Sequence, residues 1–108
     1  MQEEGLSKAM QVLDRMRENG VDPDVFTYGT LLSACDKANA WEVALRLLDE
    51  MQENAPNVVC YTAVISACNK GRREDISEEL WRQMLLDGIQ PNNNAYSAIM
   101  ASASNTED

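Results

Sequence analysis

Apolar positions recur along the chain in a pattern that opens each time with a tyrosine. Tyr28, Tyr61 and Tyr96 are each followed by two apolar residues, three and four positions later. This spacing is typical of one face of an amphipathic helix rather than of a strand. The tyrosines are separated by 33 and then 35 residues, and a period of this length indicates a helical repeat.

A second stripe with helical spacing lies between the tyrosines and keeps the same period. Its members are Ala9, Val12, Leu13 and Met16, then Ala44, Leu47, Leu48 and Met51, then Ser77, Leu80, Trp81 and Met84. Each unit is therefore a pair of antiparallel helices, a first helix that carries the tyrosine and a second helix. Because neither helix can bury its stripe alone, the pairs must stack. The sequence predicts an all-α fold, an α-solenoid of stacked helix pairs.

Glycine and proline mark the boundaries between units, at residues 20–23, 55–57 and 88–91, where they end the second helices. The predicted division is a partial repeat at 1–24 with only a second helix, full repeats at 25–57 and 58–92, and a partial repeat at 93–108 with a first helix and a frayed tail. We expect from this layout an excerpt of a longer protein, with the apolar stripes of both end helices half covered.

Two local features carry expectations of their own. Asn39, followed three residues later by Glu42, fits a capping box, so Asn39 is expected to cap the helix that starts near Trp41. The first full repeat is two residues shorter than the next, so its last residue, Asn57, is expected to fall out of register with its counterparts.

Composition excludes several classes of function. The chain of 108 residues fits one domain. It has no apolar run long enough to cross a bilayer, and its acidic start leads directly into a repeat helix, so neither a membrane partner nor a targeting peptide is predicted. Cys35 and Cys68 hold equivalent places in successive units and are interpreted as small core residues, while Cys60 is isolated.

Catalytic chemistry has no support in the sequence. Histidine is absent and no Cys-x-x-Cys spacing occurs, which argues against a metal site. There is no recognisable nucleophile turn and no glycine-rich phosphate loop. No catalytic residue, metal, cofactor or small-molecule substrate is predicted, and the chain is not expected to be an enzyme.

The stretches 25–38 and 41–51, repeated at 58–71, resemble a pentatricopeptide repeat. The shared features are the tyrosine followed by two aliphatic residues, a small residue in the second helix, a closing methionine, and Gly-x-x-Pro followed by Asp or Asn. Ser77 stands where the family has alanine, which is a small-for-small change. The tetratricopeptide repeat has a similar period, but its Trp-x-x-Leu-Gly-x-x-Tyr opening is absent. The resemblance implies a right-handed superhelix.

The resemblance also implies binding of single-stranded RNA, with one base read per repeat by two or three side chains. In this family the reading pair is the residue after the tyrosine and the last residue before the next unit, and the residue two before the tyrosine packs on the bases. For the second full repeat these are Thr62 and Asn92, with Val59 in the packing position. Threonine with asparagine is the family's adenine-preferring combination.

The remaining positions implied by the resemblance are Gly29 and Asn57 in the first full repeat, Asp24 and Ser97 in the partial repeats, and Phe26 and Asn94 in packing positions. Glycine has no side chain with which to discriminate between bases. Phe26 retains the capacity to stack, and a stacked base is worth about 1–3 kcal/mol irrespective of sequence.

The net charge of −9 opposes RNA binding, because phosphate contacts dominate affinity for nucleic acids. The acids, however, concentrate on the second helices, and Asp36 is the one acid of the first helices at 25–37, 58–70 and 93–104. Lys37 and Lys70 lie near the ends of two first helices, in the slot that faces the RNA backbone in this family. The resemblance also implies that the protein is located in a chloroplast or a mitochondrion.

Alternatives remain open at each of these positions. Lys37 and Lys70 could complement helix dipoles, Asn57 and Asn92 could be N-caps, and Phe26 could be ordinary packing. For the whole chain, the alternative to RNA binding is a protein-protein interaction scaffold that uses the same concave groove. A third reading places an RNA-modifying or nuclease domain outside this chain.

Overall fold

The computed structural model of the protein describes residues 2–54 and 56–105, with side chains described for 6–52 and 56–102. The helices of this part of the chain are α1 (Gln2–Glu18), α2 (Val25–Lys37), α3 (Trp41–Glu50), α4 (Val58–Lys70), α5 (Glu74–Leu86) and α6 (Asn93–Asn105), with a short 3₁₀ helix at Met51–Asn54. No strand occurs among the described residues. The all-α prediction is confirmed.

The helices form two rows. The first helices α2, α4 and α6 pack side by side, whereas α3 fits between α2 and α4, and α5 fits between α4 and α6. Within the described part of the chain, the second helices α1, α3 and α5 do not approach one another closely. The more closely spaced row lies on the inner side of a curved array, so the first helices line its concave face.

The core is formed by the two predicted stripes. Leu32, Ile65, Cys35 and Cys68 are completely buried, and Tyr61 is buried among them at the centre of the array. The two cysteines are therefore the core residues that the sequence predicted. None of the described helices combines the length and the apolar character that a membrane crossing needs.

The stripes of the two end helices are only partly covered, as expected. Val12 is 58% exposed at one end, and Tyr96 and Met100 are 51% and 60% exposed at the other. Leu13, which we expected to share this exposure, is buried at 2%. That expectation was wrong for Leu13 because α1 packs on α2.

Several helices end in the same way. Gly20, Asn39, Arg72 and Gly88 have positive φ, and the N–H of the next residue donates to the carbonyl five positions earlier at 2.8–3.1 Å. This is the Schellman arrangement. Asn39, with φ of 58°, thus terminates α2, since asparagine tolerates the left-handed conformation. The predicted capping box is wrong, because the N-cap of α3 is Ala40, without a side-chain hydrogen bond.

Candidate functional site

The last residue of each unit caps the first helix of the next. The side-chain oxygens of Asp24, Asn57 and Asn92 accept hydrogen bonds from the backbone N–H three residues later, at 3.0, 3.1 and 2.9 Å respectively. Each bond satisfies an N–H group that has no partner within its helix. The N-cap role that the sequence left open for Asn57 and Asn92 is therefore observed.

Asn57 does not fall out of register. Its φ and ψ are −107° and −174°, and those of the equivalent Asp24 are −110° and −173°. The repeat is two residues shorter before this cap, in the connection where α3 ends at Glu50 and the 3₁₀ helix at Met51–Asn54 leads toward Asn57. The expected loss of register was wrong because a 3₁₀ helix rises more per residue than an α-helix, so the shorter connection still reaches the same cap position.

Asp24 makes a second hydrogen bond that its asparagine counterparts do not show. Thr27 donates to its carboxylate both from the backbone N–H and from the hydroxyl, each at 3.0 Å. These bonds favour the ionised form and lower the pKa of Asp24, with the backbone bond as the larger cause. The cap of α2 therefore carries a negative charge at neutral pH.

Most of the residues singled out from the sequence line one face of the first-helix row. Val59, Thr62, Asn92, Asn94 and Ser97 line a depression of about 460 Å³. Phe26, Gly29 and Asn57 line a neighbouring depression of about 230 Å³, and Val59 borders both. We call these two depressions together the inner groove. Asp24, Lys37 and Lys70 lie outside its lining.

The packing positions stand out from the groove. Phe26 is 78% exposed and Val59 is 52% exposed, although both are apolar. They occupy the second position of successive first helices, and the exposed Asn94 occupies the same position in α6. The plain-packing alternative for Phe26 does not fit its exposure. Two apolar surfaces thus repeat along the groove with the period of the array.

Thr62 and Asn92 present complementary hydrogen-bonding groups. The Thr62 hydroxyl donates to the Val58 carbonyl at 2.6 Å, which leaves its oxygen lone pairs as acceptors. The Asn92 amide oxygen must face the Ala95 N–H, since only the oxygen can accept that bond, so the NH₂ group keeps its two donors. The pair therefore offers one acceptor and one double donor.

The equivalent place in the first full repeat is empty. Gly29 is in α2, and no atom lies within 4 Å of the position that its Cβ would occupy. Only Asn57 remains there to offer a polar side chain from the reading pair. The sequence predicted that the two repeats differ at the position after the tyrosine, with glycine in one and threonine in the other. The structure adds that the space beside Gly29 is open.

The two lysines differ in their surroundings. The Nζ of Lys70 lies 3.0 Å from Oδ1 of Asp36 and donates to the Asp36 carbonyl at 3.2 Å. Lys37 is exposed in the last turn of α2, and no ion pair joins it to another described residue. Sequence reasoning missed the pairing of Lys70, although it had identified Asp36 as the one acid of the first helices.

Two further groove residues were missed. Ser33 lines both depressions, and Ser66, its counterpart in the next repeat, lines the larger one. Their spacing of 33 residues was the signal that could have found them. They give the floor of the groove small polar groups.

Metal binding has no arrangement to support it in the described residues, since they contain no group of three or more potential ligands. Cys35, Cys60 and Cys68 are free and buried. Burial raises the pKa of the Cys35 and Cys68 thiols to about 11, because an apolar environment disfavours the thiolate.

The fold and the inner groove define an α-solenoid repeat protein with a groove along its concave face. The pentatricopeptide repeat domain matches this sequence over residues 1–38, 11–70 and 46–105. These matches extend over nearly the whole chain. The chain belongs to the pentatricopeptide repeat family.

Curated relatives are much longer than this chain. A mitochondrial pentatricopeptide repeat-containing protein of Arabidopsis thaliana is 37% identical over 95 residues, which is 85% of this chain and 11% of that protein. A chloroplastic one from the same plant is 30% identical over 80% of this chain and 18% of its own length. The mitochondrial 15S rRNA processing factor of Yarrowia lipolytica is 29% identical over 94% of this chain and 15% of its own length.

A solved structure agrees with the fold. The crystal structure of the pentatricopeptide repeat protein PPR10 from maize matches with a TM-score of 0.80 and 30% identity. The match covers 98% of this chain and 15% of the maize chain. The predicted α-solenoid is therefore confirmed by an independent structure.

Proposed function

We propose that the inner groove binds single-stranded RNA and that the repeat 58–92 reads one base through Thr62 and Asn92. The observation that carries the proposal is their common depression, into which they offer one acceptor and one donor group. Val59 beside them supplies an exposed apolar surface for a base face. The proposed activity is binding rather than catalysis.

The hydrogen-bonding groups favour some bases over others. Adenine and cytosine present an amino donor beside a ring-nitrogen acceptor, whereas guanine and uracil present a carbonyl beside an N–H donor. A Thr62 acceptor and an Asn92 donor match the first arrangement, and the proposed preference within it is adenine. Gly29 lacks the acceptor, so the repeat 25–57 is proposed to tolerate any base.

The cap of α6 would contribute to this readout. The bond from the Ala95 N–H fixes the Asn92 amide and directs its NH₂ group away from the helix. An aspartate in this place would keep the cap, as Asp24 does for α2, but would replace the donor by an acceptor. The same position would thus hold the helix start and select the base.

The cellular role is proposed from the relatives. The relatives described above are named mitochondrial or chloroplastic, and one is named as a processing factor of ribosomal RNA. We place the protein in one of these organelles, where RNA binding would support the processing, stability or translation of a transcript.

A protein-interaction scaffold is the second candidate. The net charge of −9 favours it, because an acidic protein repels phosphates at long range. In that case the exposed Phe26 and Val59 would hold apolar side chains of a peptide. The two candidates differ in whether the groove distinguishes bases.

The test is to graft residues 58–92 into an array of uniform RNA-binding repeats and measure affinities for RNAs that differ only at the facing nucleotide. We expect adenine to be preferred, with a discrimination of about 1–3 kcal/mol. Asn92→Asp is the matched variant, since it retains the cap, and it should shift the preference toward guanine. Equal affinity for all four bases in both grafts would refute base reading and favour the scaffold.

A further inference from the structure

The pairing of Lys70 with Asp36 connects two repeats at the edge of the inner groove. Asp36 belongs to α2 and Lys70 to α4, and they are joined by an ion pair to the Asp36 carboxylate and a hydrogen bond to its backbone carbonyl. Asp36 lines the depression that also contains Thr62 and Asn92. A negative charge therefore lies inside a face that is proposed to receive phosphates.

This charge is particular to one repeat. The residue equivalent to Asp36 in the next repeat is Asn69, which is buried at 7% and donates to the Ala98 carbonyl at 2.6 Å. Lys37, the equivalent of Lys70, is joined to no acid among the described residues. Among the described residues, the first helices thus carry one exposed lysine without an ion pair, Lys37, and one lysine held by an acid, Lys70.

We propose that Asp36 acts as an internal substitute for an RNA phosphate. By pairing with Lys70, Asp36 lowers the affinity of the groove for RNA. This inference rests on the proposed RNA-binding function. RNA would engage Lys70 only by displacing the Asp36 carboxylate. Asp36 thereby makes the contact of α4 with the RNA backbone weaker than that of Lys37 on α2.

The physical basis is the source of nucleic-acid affinity. A lysine that neutralises a phosphate releases a condensed counterion, and this release makes affinity depend on salt. A lysine that is already neutralised by a carboxylate gains little from the exchange. The side chains of Lys70 and Asp36 are 45% and 25% exposed, so both are reached by solvent, although Oδ1 of Asp36 is itself buried.

The test compares the wild-type chain with Asp36→Asn in titrations with single-stranded oligoadenylate, followed by NMR so that affinities in the millimolar range are measurable. Removing the competing carboxylate should raise affinity about three- to tenfold at low salt. It should also steepen the plot of log affinity against log salt by about 0.7, the value for one phosphate of a single strand. Circular dichroism checks that both proteins fold.

Two matched variants separate the local effect from net charge. Asp49→Asn makes the same substitution on α3, at an exposed residue that faces away from the inner groove. It should change affinity much less than Asp36→Asn. Adding Lys70→Gln to Asp36→Asn should remove the gain.

The contrary outcomes are distinct. Equal gains from Asp36→Asn and Asp49→Asn would overturn the proposal, because net charge alone would then act. Unchanged or weaker binding by Asp36→Asn would overturn it too, since Asp36 would then be neutral or would position Lys70 for RNA. If the folded wild-type chain bound no RNA at millimolar concentration, the proposed function would fail together with this inference.

Discussion

The two complete repeats, 25–57 and 58–92, share a backbone arrangement and differ in the polar groups that they place on it. Both carry a buried tyrosine and a buried cysteine in the first helix, and both begin that helix with a side-chain cap. At the position after the tyrosine one has Gly29 and the other Thr62. The stripes therefore maintain the fold in both repeats, while positions outside the stripes give each repeat its own surface.

The interior of the second repeat is also more polar. Ser77 donates to Oδ1 of Asn69 at 2.7 Å, and the Asn69 amide donates to the Ala98 carbonyl at 2.6 Å. These bonds link α5, α4 and α6. The first repeat has Ala44 in place of Ser77 and the partly exposed Asp36 in place of Asn69. Ser77, which in the sequence is a small residue in the place of alanine, is thus hydrogen-bonded to Asn69 in the interior.

The largest expected effect concerns the turn between α4 and α5. A Cβ on Gly71 would overlap the Trp41 ring, with Nε1 at 2.7 Å and Cδ1 closer still. We expect Gly71→Ala to reduce the free energy of unfolding by about 1–3 kcal/mol, as overpacking does. Chemical denaturation measures this change. The first repeat already has Ala38 in the equivalent place.

The Gly71 prediction has an internal control. If contact with the indole is the cause, Trp41→Leu should cancel most of the loss that Gly71→Ala produces. That substitution also removes the stacking of Arg73, whose guanidinium carbon lies 5.0 Å from the ring centroid. Additive losses in the double variant would show that the crowding account is wrong.

A smaller effect is expected from making the second repeat resemble the first. Ser77→Ala removes the hydroxyl that bonds to the buried Asn69 and should destabilise the fold by about 1 kcal/mol. Thermal unfolding of Ser77→Ala, of Asn69→Ala and of the double variant gives the coupling energy. A double variant whose loss equals the sum of the two single losses would contradict the assignment of these residues to one network.

A smaller effect of opposite sign is expected at Gly29. Alanine there meets no atom within 4 Å, and it removes a glycine from a helix. Gly29→Ala should therefore stabilise the chain by about 0.5–1 kcal/mol. Denaturant titration measures the change in the free energy of unfolding for Gly29→Ala. The comparison with Gly71→Ala shows whether the space around the new methyl group determines the sign of that change. A loss of stability at Gly29 would mean that its surroundings are closed.

No difference between the repeats is expected for their core thiols. Burial raises the pKa of both Cys35 and Cys68 from 9.0 to about 11. Since the folded-state pKa is the higher one, their contribution to stability is complete below pH 9.0 and is lost as pH rises through about 11. Alkylation of folded protein at neutral pH, followed by mass spectrometry, should leave both unmodified. Fast alkylation of only one of the two thiols would show that Cys35 and Cys68 are not equally buried.

The sequence predicted the features that depend on neighbouring residues. The stripe periods predicted both helices of each repeat, and the residue types of Asn57 and Asn92 offered as an alternative the N-caps that the structure contains. Local spacing suffices for these features because each side chain is fixed by its own helix. The grouping of Thr62, Asn92 and Val59, which line one depression, was implied instead by the resemblance to the pentatricopeptide repeat.

What the sequence did not predict depends on contacts between repeats or on alternative local geometries. Lys70 reaches Asp36 only because α2 and α4 pack side by side. Asn39 satisfied the pattern for a helix start but was used to end the preceding helix. The register of Asn57 was preserved by a 3₁₀ turn, which a count of missing residues does not reveal.

The most direct test of base reading is a reciprocal exchange between the two repeats. Residues 25–57 and 58–92 are grafted separately into the same uniform RNA-binding array, each as such and with Gly29→Thr or Thr62→Gly. A Cβ at Gly29 meets no atom within 4 Å, so the threonine can be introduced without a clash at that atom. The account predicts that adenine preference follows the threonine, appearing with Gly29→Thr and disappearing with Thr62→Gly. A preference that stays with its original repeat, or appears in none of the four grafts, would contradict the account.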